Sequence, residues 1–407
     1  MRDVDVLIAG AGPAGCAAAI PLARAGLSVR LLEHRVNPGF CIGETLPPKS
    51  VDLAQDLLGD ALLPVSYPSR GVTSAWGESA SHVLDYFYTP KGYGLCLDRC
   101  GFNKALRRVA RDAGATVTAG ARITAIDRRS DGLWGVACET EYRSEPLSAQ
   151  VLIDATGRSA ALARLLSLPR QADDPMFAYA LAFITADADA NDRFTRIEAA
   201  PFGYWYSNAV PGTPEHRVVV LHTDRDLPEA WLAREPAGFL SLLRQSTLIR
   251  PHLERHGYEA TGSIRGAQAG ETQLRPHGLP GLLAIGDSAQ SFDPLSSQGV
   301  TEALTSGAQA AALLIEAFAD DDRAAALAGA RQTLAALQAQ AYGQYRHSYA
   351  RIYAMETRWP EAPFWARRHA RGLSAPPFTQ GAHWHDTGIR QGTSHRAASH
   401  RDVSSGQ

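Results

Sequence analysis

The chain opens with three segments of distinct hydrophobic pattern. Residues 4–9 are apolar apart from one aspartate and predict a buried strand. A helical pattern follows from about Ala14 to Ala25 and ends at Gly26, a residue type that commonly terminates helices. Residues 28–33 then predict a second strand. Together these segments predict a strand–helix–strand unit at the start of the chain.

The rest of the chain divides into regions of different hydrophobic pattern. Four segments of the first half have regular patterns: a helix from about Phe102 to Ala113 and strands over 115–126, 133–139 and 151–155. Between about 175 and 274, apolar and polar residues alternate, with few helical patterns before Ala237, which predicts an antiparallel sheet. Residues 281–286 return to the buried-strand pattern, and alanine-rich helical patterns follow over 299–318 and 323–356.

The last helical pattern carries an aromatic face whose members recur at three- and four-residue spacing: Tyr342, Tyr345, Tyr349, Ile352 and Tyr353. This spacing predicts a face packed on the rest of the protein rather than a ligand-binding set. From about residue 372 onward the chain is rich in Ser, Gly, His and Arg. We therefore predict a disordered tail over 372–407.

Composition limits the possible functions. A chain of 407 residues, 45% of them apolar, exceeds the usual single-domain size, so two interlocked domains are expected. The formal net charge of −2 provides no global field that would attract nucleic acid or an acidic membrane. Glycines interrupt the apolar N-terminal run, and no uninterrupted apolar stretch reaches the about 18 residues of a membrane span. We expect a cytoplasmic protein with neither membrane nor nucleic-acid partners.

The cysteines suggest no metal or disulfide chemistry. There are five, scattered through the first half without a CxxC pair: Cys16, Cys41, Cys96, Cys100 and Cys138. Such a set predicts neither a disulfide framework nor a zinc site, and small buried apolar roles are favoured. We predict no metal ligand in the chain.

The loop between the first strand and helix indicates a dinucleotide site. It reads Gly10-Ala11-Gly12-Pro13-Ala14-Gly15. Glycines here allow a tight turn and a close approach of a pyrophosphate to the amides at the helix N-terminus. Glu33 ends the second strand, 18 residues past Gly15, where a carboxylate can bind ribose hydroxyls. The glycine loop by itself is compatible with either NAD or FAD.

A second segment favours FAD. Gly286 and Asp287 end a late strand, where a carboxylate can bind ribityl hydroxyls. The next loop, over 293–300, reads Asp-Pro-Leu-Ser-Ser-Gln-Gly-Val and can turn backbone amides towards a flavin ring. These segments, with the Asp-Ala-Thr-Gly-Arg sequence at 154–158, resemble the superfamily of FAD-dependent aromatic hydroxylases and flavin halogenases.

The resemblance implies a set of FAD-binding residues and a fold. The implied cofactor residues are Gly10, Gly12, Pro13, Ala14, Gly15, Glu33, His34, Arg35, Thr45, Arg99, Asp287, Pro294, Gln298, Gly299 and Val300. The implied fold class is α/β, with a Rossmann-type FAD-binding domain, an antiparallel-sheet substrate domain and C-terminal helices. We assign 1–75, 96–170 and 275–320 to a discontinuous FAD-binding domain, 76–95 and 171–274 to the substrate domain, and 321–371 to the C-terminal helical region.

Further motifs narrow the resemblance. Gly43 to Pro48 is similar to the first flavin loop of halogenases. Four other segments resemble the flavoproteins that hydroxylate a peptidyl tryptophan during maturation of quinone-cofactor enzymes, namely amine dehydrogenases and amino-acid oxidases: 74–77, 94–99, 203–207 and 356–360. Tryptophan halogenases are disfavoured because they carry a Lys about seven residues before a Trp, whereas no Lys lies between Lys49 and Lys91.

Candidate catalytic groups are proposed from residue type and from their place in the predicted elements. Glu44, Asp293 and His222 are acid–base candidates, although buried groups of these types are often hydrogen-bonded structure. Trp205 and Tyr206 lie in the predicted substrate sheet, where their rings could flank an indole or simply pack in a core. We select Glu44, Trp205 and Asp293 as catalytic candidates, and expect a wide cleft with Trp205 or Tyr206 on its wall and no basic lining.

The implied reaction is monooxygenation of an aromatic ring through a flavin C4a-hydroperoxide, with NADH or NADPH as transient reductant. The favoured substrate is a tryptophan of a precursor polypeptide in tryptophylquinone biogenesis. Alternatives are a small-molecule aromatic hydroxylase, a flavin-dependent tryptophan halogenase, a prenyl reductase, and a flavin-bearing maturation chaperone without enzymatic activity.

Overall fold

A computed structural model describes residues 2–36, 44–141, 144–172, 174–190, 192–212 and 215–373. Its strands are β1 (Arg2–Ala9), β2 (Val29–Glu33), β3 (Glu44–Leu46), β4 (Ser66–Ser69), β5 (Gly71–Ala75), β6 (His82–Asp85), β7 (Gly94–Leu97), β8 (Thr116–Ala119), β9 (Arg122–Arg128), β10 (Trp134–Glu139), β11 (Ser144–Asp154), β12 (Arg170–Gln171), β13 (Met176–Thr185), β14 (Phe194–Ala200), β15 (Gly203–Val210), β16 (Glu215–Asp224), β17 (Glu259–Gln268), β18 (Thr272–Leu274), β19 (Leu282–Ala284) and β20 (Gln290–Ser291).

The α-helices are α1 (Pro13–Arg24), α2 (Val51–Leu58), α3 (Arg99–Asp112), α4 (Ala161–Leu165), α5 (Pro228–Leu232), α6 (Pro236–Leu243), α7 (Ile249–Arg255), α8 (Gly299–Ala319), α9 (Arg323–Met355) and α10 (Pro363–Leu373). Short 3-10 helices cover Pro48–Ser50, Gly59–Val65, Tyr86–Tyr88, Gly157–Ser159, Ala188–Ala190, Gly286–Ser288 and Pro294–Ser296. Among the described helices, none is long and apolar enough to cross a lipid bilayer.

The first large sheet has the strand order β8-β2-β1-β11-β10-β9, with β19 also paired to β11. Strands β8, β2, β1, β11 and β19 run parallel, whereas β10 and β9 continue the sheet in antiparallel fashion. The carboxyl ends of β1, β2, β11 and β19 therefore meet at one edge, which is where open α/β sheets bind ligands.

Helices α1 and α8 pack closely against each other beside that edge. Helix α1 is rich in alanine, and α8 presents Gly307 to it. A Cβ atom at Gly307 would lie 2.4 Å from the backbone oxygen of Ala14 and 2.8 Å from the Cβ of Ala17. Only small residues allow this approach, so the composition of both helices fixes the distance between the glycine loop and the start of α8.

The second large sheet has the order β17-β13-β16-β15-β14-β5-β6 and is antiparallel except for the β14–β5 pair. One of its faces packs on α5 to α7 in a cluster that contains Trp205 and Phe239. The opposite face packs on the aromatic residues of α9 and α10, including Tyr345, Tyr353 and Trp365. The aromatic face predicted for α9 is thus a packing surface, as expected.

The α/β class with a Rossmann-type sheet is confirmed. The strand predicted over 115–126 is wrong in detail, because Gly120, at φ +69°, divides it into β8 and β9. The structure does not describe residues 374–407, which make up nearly all of the predicted tail. The expectation of no disulfide is also wrong, because Cys100 is disulfide-bonded. Five scattered cysteines without a repeated spacing give no sequence signal for a particular pair.

Candidate functional site

A cavity of about 1280 Å³ extends from the carboxyl edge of the first sheet to the second sheet. Its wall includes every predicted cofactor residue except Gly15 and Gln298. This volume exceeds the about 300–1,000 Å³ of typical small-molecule sites, so there is room for a large cofactor and a second ring.

The glycine loop forms one wall of the cavity. Gly10 has φ +101°, and a Cβ atom there would lie 2.3 Å from the oxygen of Ala155. A Cβ atom at Gly15 would lie 2.0 Å from the oxygen of Gly10. Gly15 is therefore required for the tight turn, although it does not line the cavity. By contrast, a Cβ atom at Gly12 meets no atom within 4 Å. The loop therefore leaves free space in front of the N-terminus of α1, as a pyrophosphate group requires.

Glu33 lies beside this loop at the end of β2. Its carboxylate accepts hydrogen bonds from the backbone amides of Ala11, at 3.1 Å, and Arg35, at 2.9 Å. His34 and Arg35 follow it on the cavity wall. This placement fits the predicted contact with a ribose, because the carboxylate is oriented by the loop that would hold the adjoining phosphates.

Helix α3 adds two residues that the sequence analysis missed. Arg99, Asn103 and Arg107 are four residues apart, share one face of α3 and line the cavity. The Nε atom of Arg107 donates a hydrogen bond of 2.9 Å to the oxygen of Ala11, which ties α3 to the glycine loop. The Oδ1 atom of Asn103 is buried and has no hydrogen-bond partner among the described residues. The four-residue spacing after Arg99 was a sequence signal for both.

Hydrogen bonds of the Asp154–Arg158 segment fix the loop that borders the cavity. The Asp154 carboxylate accepts hydrogen bonds from the amide and hydroxyl of Thr156 and from the amides of Leu162 and Ala163. This arrangement caps α4 and shapes the loop, while Asp154 itself is absent from the cavity wall. Arg158 does line the cavity and donates hydrogen bonds to the backbone oxygens of Gly270 and Phe292.

Asp287 lines the cavity at the end of the late strand, close to the glycine loop. Gly286 precedes it with φ +58°, and a Cβ atom there would lie 2.9 Å from the Cβ of Ala14. The Oδ2 atom of Asp287 lies 3.4 Å from the Nε atom of Arg158. One carboxylate oxygen is therefore near a cation while the other is available to a hydroxyl group, as the predicted ribityl contact requires.

The loop after Asp293 forms the cavity wall nearest the second sheet. Pro294, Ser297, Gly299 and Val300 line it. Ser297 has φ +49°, a conformation that non-glycine residues rarely adopt. Gln298 is the N-cap residue of α8 and lies off the wall. The loop therefore presents backbone and small side chains to the cavity, as contact with a planar ring demands.

Asp293 anchors this loop instead of reaching the cavity. Its Oδ1 atom accepts hydrogen bonds from the Tyr204 hydroxyl, at 2.9 Å, and the Leu295 amide, while its Oδ2 atom accepts one from the Tyr353 hydroxyl at 2.6 Å. Burial raises the pKa of Asp293 to about 6. Because the carboxyl group is engaged on both sides and is absent from the cavity wall, the catalytic assignment of Asp293 is corrected to a positioning role.

Of the other two catalytic candidates, the structure places the side chain of Trp205 but does not describe that of Glu44. Trp205 is buried on the far face of the second sheet, where its ring contacts Phe239 at a centroid distance of 5.2 Å, so it cannot touch a molecule in the cavity. Tyr206, the next residue on β15, does line the cavity. The Glu44 side chain lies outside the described residues, although Thr45 beside it lines the cavity.

The second sheet supplies the cavity floor. Its lining is mostly apolar or small, from Ala178, Val220 and the neighbouring Phe292, with Tyr206 and His222 as aromatic or polar members. Burial lowers the pKa of His222 to about 3, with Arg158 and Arg368 acting in the same direction. The expectation of a cavity without basic lining is wrong, because the wall includes these arginines: Arg35, Arg99, Arg107, Arg122, Arg158 and Arg164.

The geometry fits FAD as the bound cofactor. The free space at Gly12, the unpartnered Asn103 atom and the carboxylates of Glu33 and Asp287 are distributed along one continuous cavity. The space at Gly12 suits the phosphates, Glu33 suits the ribose and Asp287 suits the ribityl chain of a flavin dinucleotide.

Comparison with known proteins gives the same cofactor. The model of the FAD-dependent oxidoreductase family matches residues 5–172. The chain is 31% identical to a putative FAD-dependent oxidoreductase, LodB, of Marinomonas mediterranea over 381 residues, which are 91% of this chain and 98% of that protein.

Solved structures share the fold. The flavin-dependent halogenase CmlS is 25% identical with a TM-score of 0.77, and the match covers 92% of this chain and 70% of that one. The peptidyl tryptophan dihydroxylase QhpG, essential for tryptophylquinone cofactor biogenesis, is 22% identical with a TM-score of 0.65, and the match covers 90% of this chain and 79% of that one.

Proposed function

The chain belongs to the FAD-dependent oxidoreductases, and we propose that it is a monooxygenase that hydroxylates a tryptophan side chain within a precursor polypeptide. When bound and reduced, FAD would activate dioxygen for such a reaction, and NADH or NADPH is the proposed source of the two electrons. The protein residues bind the cofactor, hold the substrate ring beside it and keep water from the reacting atoms.

The observation that carries the proposal is where the cavity opens. Ala267 and Gln268 line it and are exposed, and both belong to β17, the edge strand of the second sheet. Nearly all of β17 is exposed. An exposed edge strand offers backbone groups with which an extended polypeptide can pair, and a side chain of that polypeptide can then enter the cavity. A free amino acid has no extended backbone that could pair with such an edge.

The floor of the cavity suits an indole ring. Val220 and Phe292 supply apolar contacts, and Tyr206 supplies an aromatic one. Electron-rich indoles need little activation by a base, so a floor without a carboxylate among the described side chains is compatible with the reaction. The arginines of the wall are assigned to the cofactor, whose phosphates they complement.

Halogenation is the second candidate, because CmlS shares the fold over 92% of the chain. Halogenases of tryptophan direct hypohalous acid with a lysine, and no lysine is found on the cavity wall within the described ranges. Lys49 lies off this wall near Glu302, and partial desolvation of its amine lowers its pKa. This arrangement favours hydroxylation over halogenation.

The proposal is tested by offering three substrates to the reduced protein in the presence of dioxygen and chloride. They are free tryptophan, N-acetyltryptophanamide and a tryptophan-containing polypeptide encoded beside the gene. We expect oxygen addition to the polypeptide in preference to free tryptophan. Preferential hydroxylation of free tryptophan would support a small-molecule hydroxylase instead, and a chlorine adduct would support a halogenase.

A further inference from the structure

One polar side chain on the cavity floor has no partner. His222 lies on β16, is only 4% exposed and lines the cavity. Its Nδ1 atom is buried without a hydrogen-bond partner, and neither ring nitrogen has a hydrogen bond to any group in the described part of the chain. A buried polar group in this state costs about 1–3 kcal/mol, which calls for a ligand or water that satisfies it.

The imidazole ring is held in one orientation. It stacks on the ring of Tyr204, its cross-strand neighbour on β15, at a centroid distance of 4.4 Å and an interplanar angle of 14°. The Tyr204 hydroxyl is in turn fixed by its hydrogen bond to Asp293. On the other side, the cross-strand neighbour is Ala178 on β13, whose methyl group leaves room beside the ring.

The imidazole is also held neutral. Burial, together with the positive charges of Arg158 and Arg368, lowers the pKa of His222 to about 3. A neutral imidazole has one N–H donor and one acceptor nitrogen. The adjoining floor residues Val220 and Phe292 have apolar side chains and cannot accept a hydrogen bond.

We propose that His222 positions the substrate ring by accepting a hydrogen bond from an aromatic N–H group, specifically that of an indole. This inference rests on the proposed function, because it concerns the ring that the cavity floor receives. An indole offers one polar group, a donor, and therefore needs one acceptor on an otherwise apolar floor. The acceptor would select indoles over rings of equal shape that lack the N–H.

The test measures binding to the FAD-loaded, oxidised protein, with no turnover. The probes are N-acetyltryptophanamide and its benzothienylalanine counterpart, in which sulfur replaces the indole N–H. We expect the wild-type protein to bind the first probe about three- to tenfold more tightly, the equivalent of one hydrogen bond.

Two variants separate the hydrogen bond from packing. His222→Phe retains a ring to stack on Tyr204 but removes both nitrogens, so it should bind the two probes equally. His222→Gln retains an acceptor and should restore the preference. A wild-type preference retained by His222→Phe, or no preference in the wild-type protein, overturns the inference.

Nitrogen NMR of the histidine-labelled wild-type protein tests, without a variant, whether His222 accepts a hydrogen bond from the probe. The resonance of the acceptor nitrogen should shift with N-acetyltryptophanamide and not with the sulfur analogue; equal shifts overturn the inference. Failure of the proposed function gives a different result. The binding preference would persist while the precursor polypeptide gains no oxygen.

Discussion

The hydroxyl group of Tyr353 on α9 donates a hydrogen bond of 2.6 Å to Oδ2 of Asp293, directly before the loop that lines the cavity. This contact links the C-terminal helices to the cofactor site. Because Tyr353→Phe removes a donor from a buried carboxyl group, we expect the free energy of unfolding to fall by about 1–3 kcal/mol. Urea unfolding at neutral pH measures the change.

Tyr349 provides the matched control for this variant. It lies one helical turn before Tyr353 and is equally buried, but its hydroxyl group has no hydrogen-bond partner among the described residues. Tyr349→Phe should therefore change stability by less than about 0.5 kcal/mol or increase it. Equal destabilisation by both variants would show that aromatic packing, and not the hydrogen bond to Asp293, explains the loss.

Stability should depend on pH through Asp293. Burial raises its pKa to about 6 in the folded protein, above the value of 3.8 for an unperturbed aspartate. The folded state therefore binds the proton more tightly, so this contribution is fully present below about pH 4 and is lost as the pH rises through 6. The difference corresponds to at most about 3 kcal/mol.

Two variants isolate this contribution. Asp293→Asn should remove the decrease in stability between about pH 4 and 6. Burial likewise raises the pKa of Glu302 to about 7, so Glu302→Gln should remove a separate decrease that extends to higher pH. The measurement is the free energy of unfolding of each variant across this pH range. If the profile of Asp293→Asn is as steep as that of the wild type, the pH dependence does not come from Asp293.

Gly12→Val should abolish FAD binding without destabilising the protein. A Cβ atom at Gly12 meets nothing within 4 Å, so the valine would occupy only the space assigned to the pyrophosphate. Gly10→Ala is the contrasting variant, since its Cβ atom would lie 2.3 Å from the Ala155 oxygen at φ +101°. We expect Gly10→Ala to lower the melting temperature of the cofactor-free protein and Gly12→Val to leave it unchanged. Retention of FAD by Gly12→Val would mean that the phosphates bind elsewhere.

Asp287→Ala should weaken FAD binding by about 1.5–3 kcal/mol, because it deletes a charged acceptor for a ribityl hydroxyl. Flavin fluorescence during dilution of the loaded protein measures the affinity. Asp287→Asn keeps one acceptor oxygen and should lose less. If both variants bind FAD like the wild type, the ribityl chain does not contact Asp287.

The part of the site that could be predicted from the sequence is the part built from local motifs. The glycine loop, Glu33 and Asp287 each follow a strand within a few residues, so the local pattern shows both the element and the group at its end. Asn103 and Arg107 could also have been predicted, from their helical spacing after Arg99.

The substrate side depends on contacts that a sequence does not reveal. Both faces of β15 are buried, so its side chains show no alternation to indicate whether Trp205 or Tyr206 faces the cavity. The hydrogen bonds that engage Asp293 could not be predicted, because their donors, Tyr204 and Tyr353, belong to segments distant in the sequence. The partnerless state of His222 is likewise a property of the packed sheet.

The most direct test of the proposed function is isotopic. The FAD-loaded protein, its reductant and the tryptophan-containing precursor polypeptide are incubated under isotopically heavy dioxygen, and the products are sequenced by tandem mass spectrometry. Our account predicts heavy oxygen on the ring of a specific tryptophan of the polypeptide, and none when FAD is omitted. An unmodified polypeptide, in a reaction that consumes reductant and oxygenates only free aromatic compounds, would contradict it.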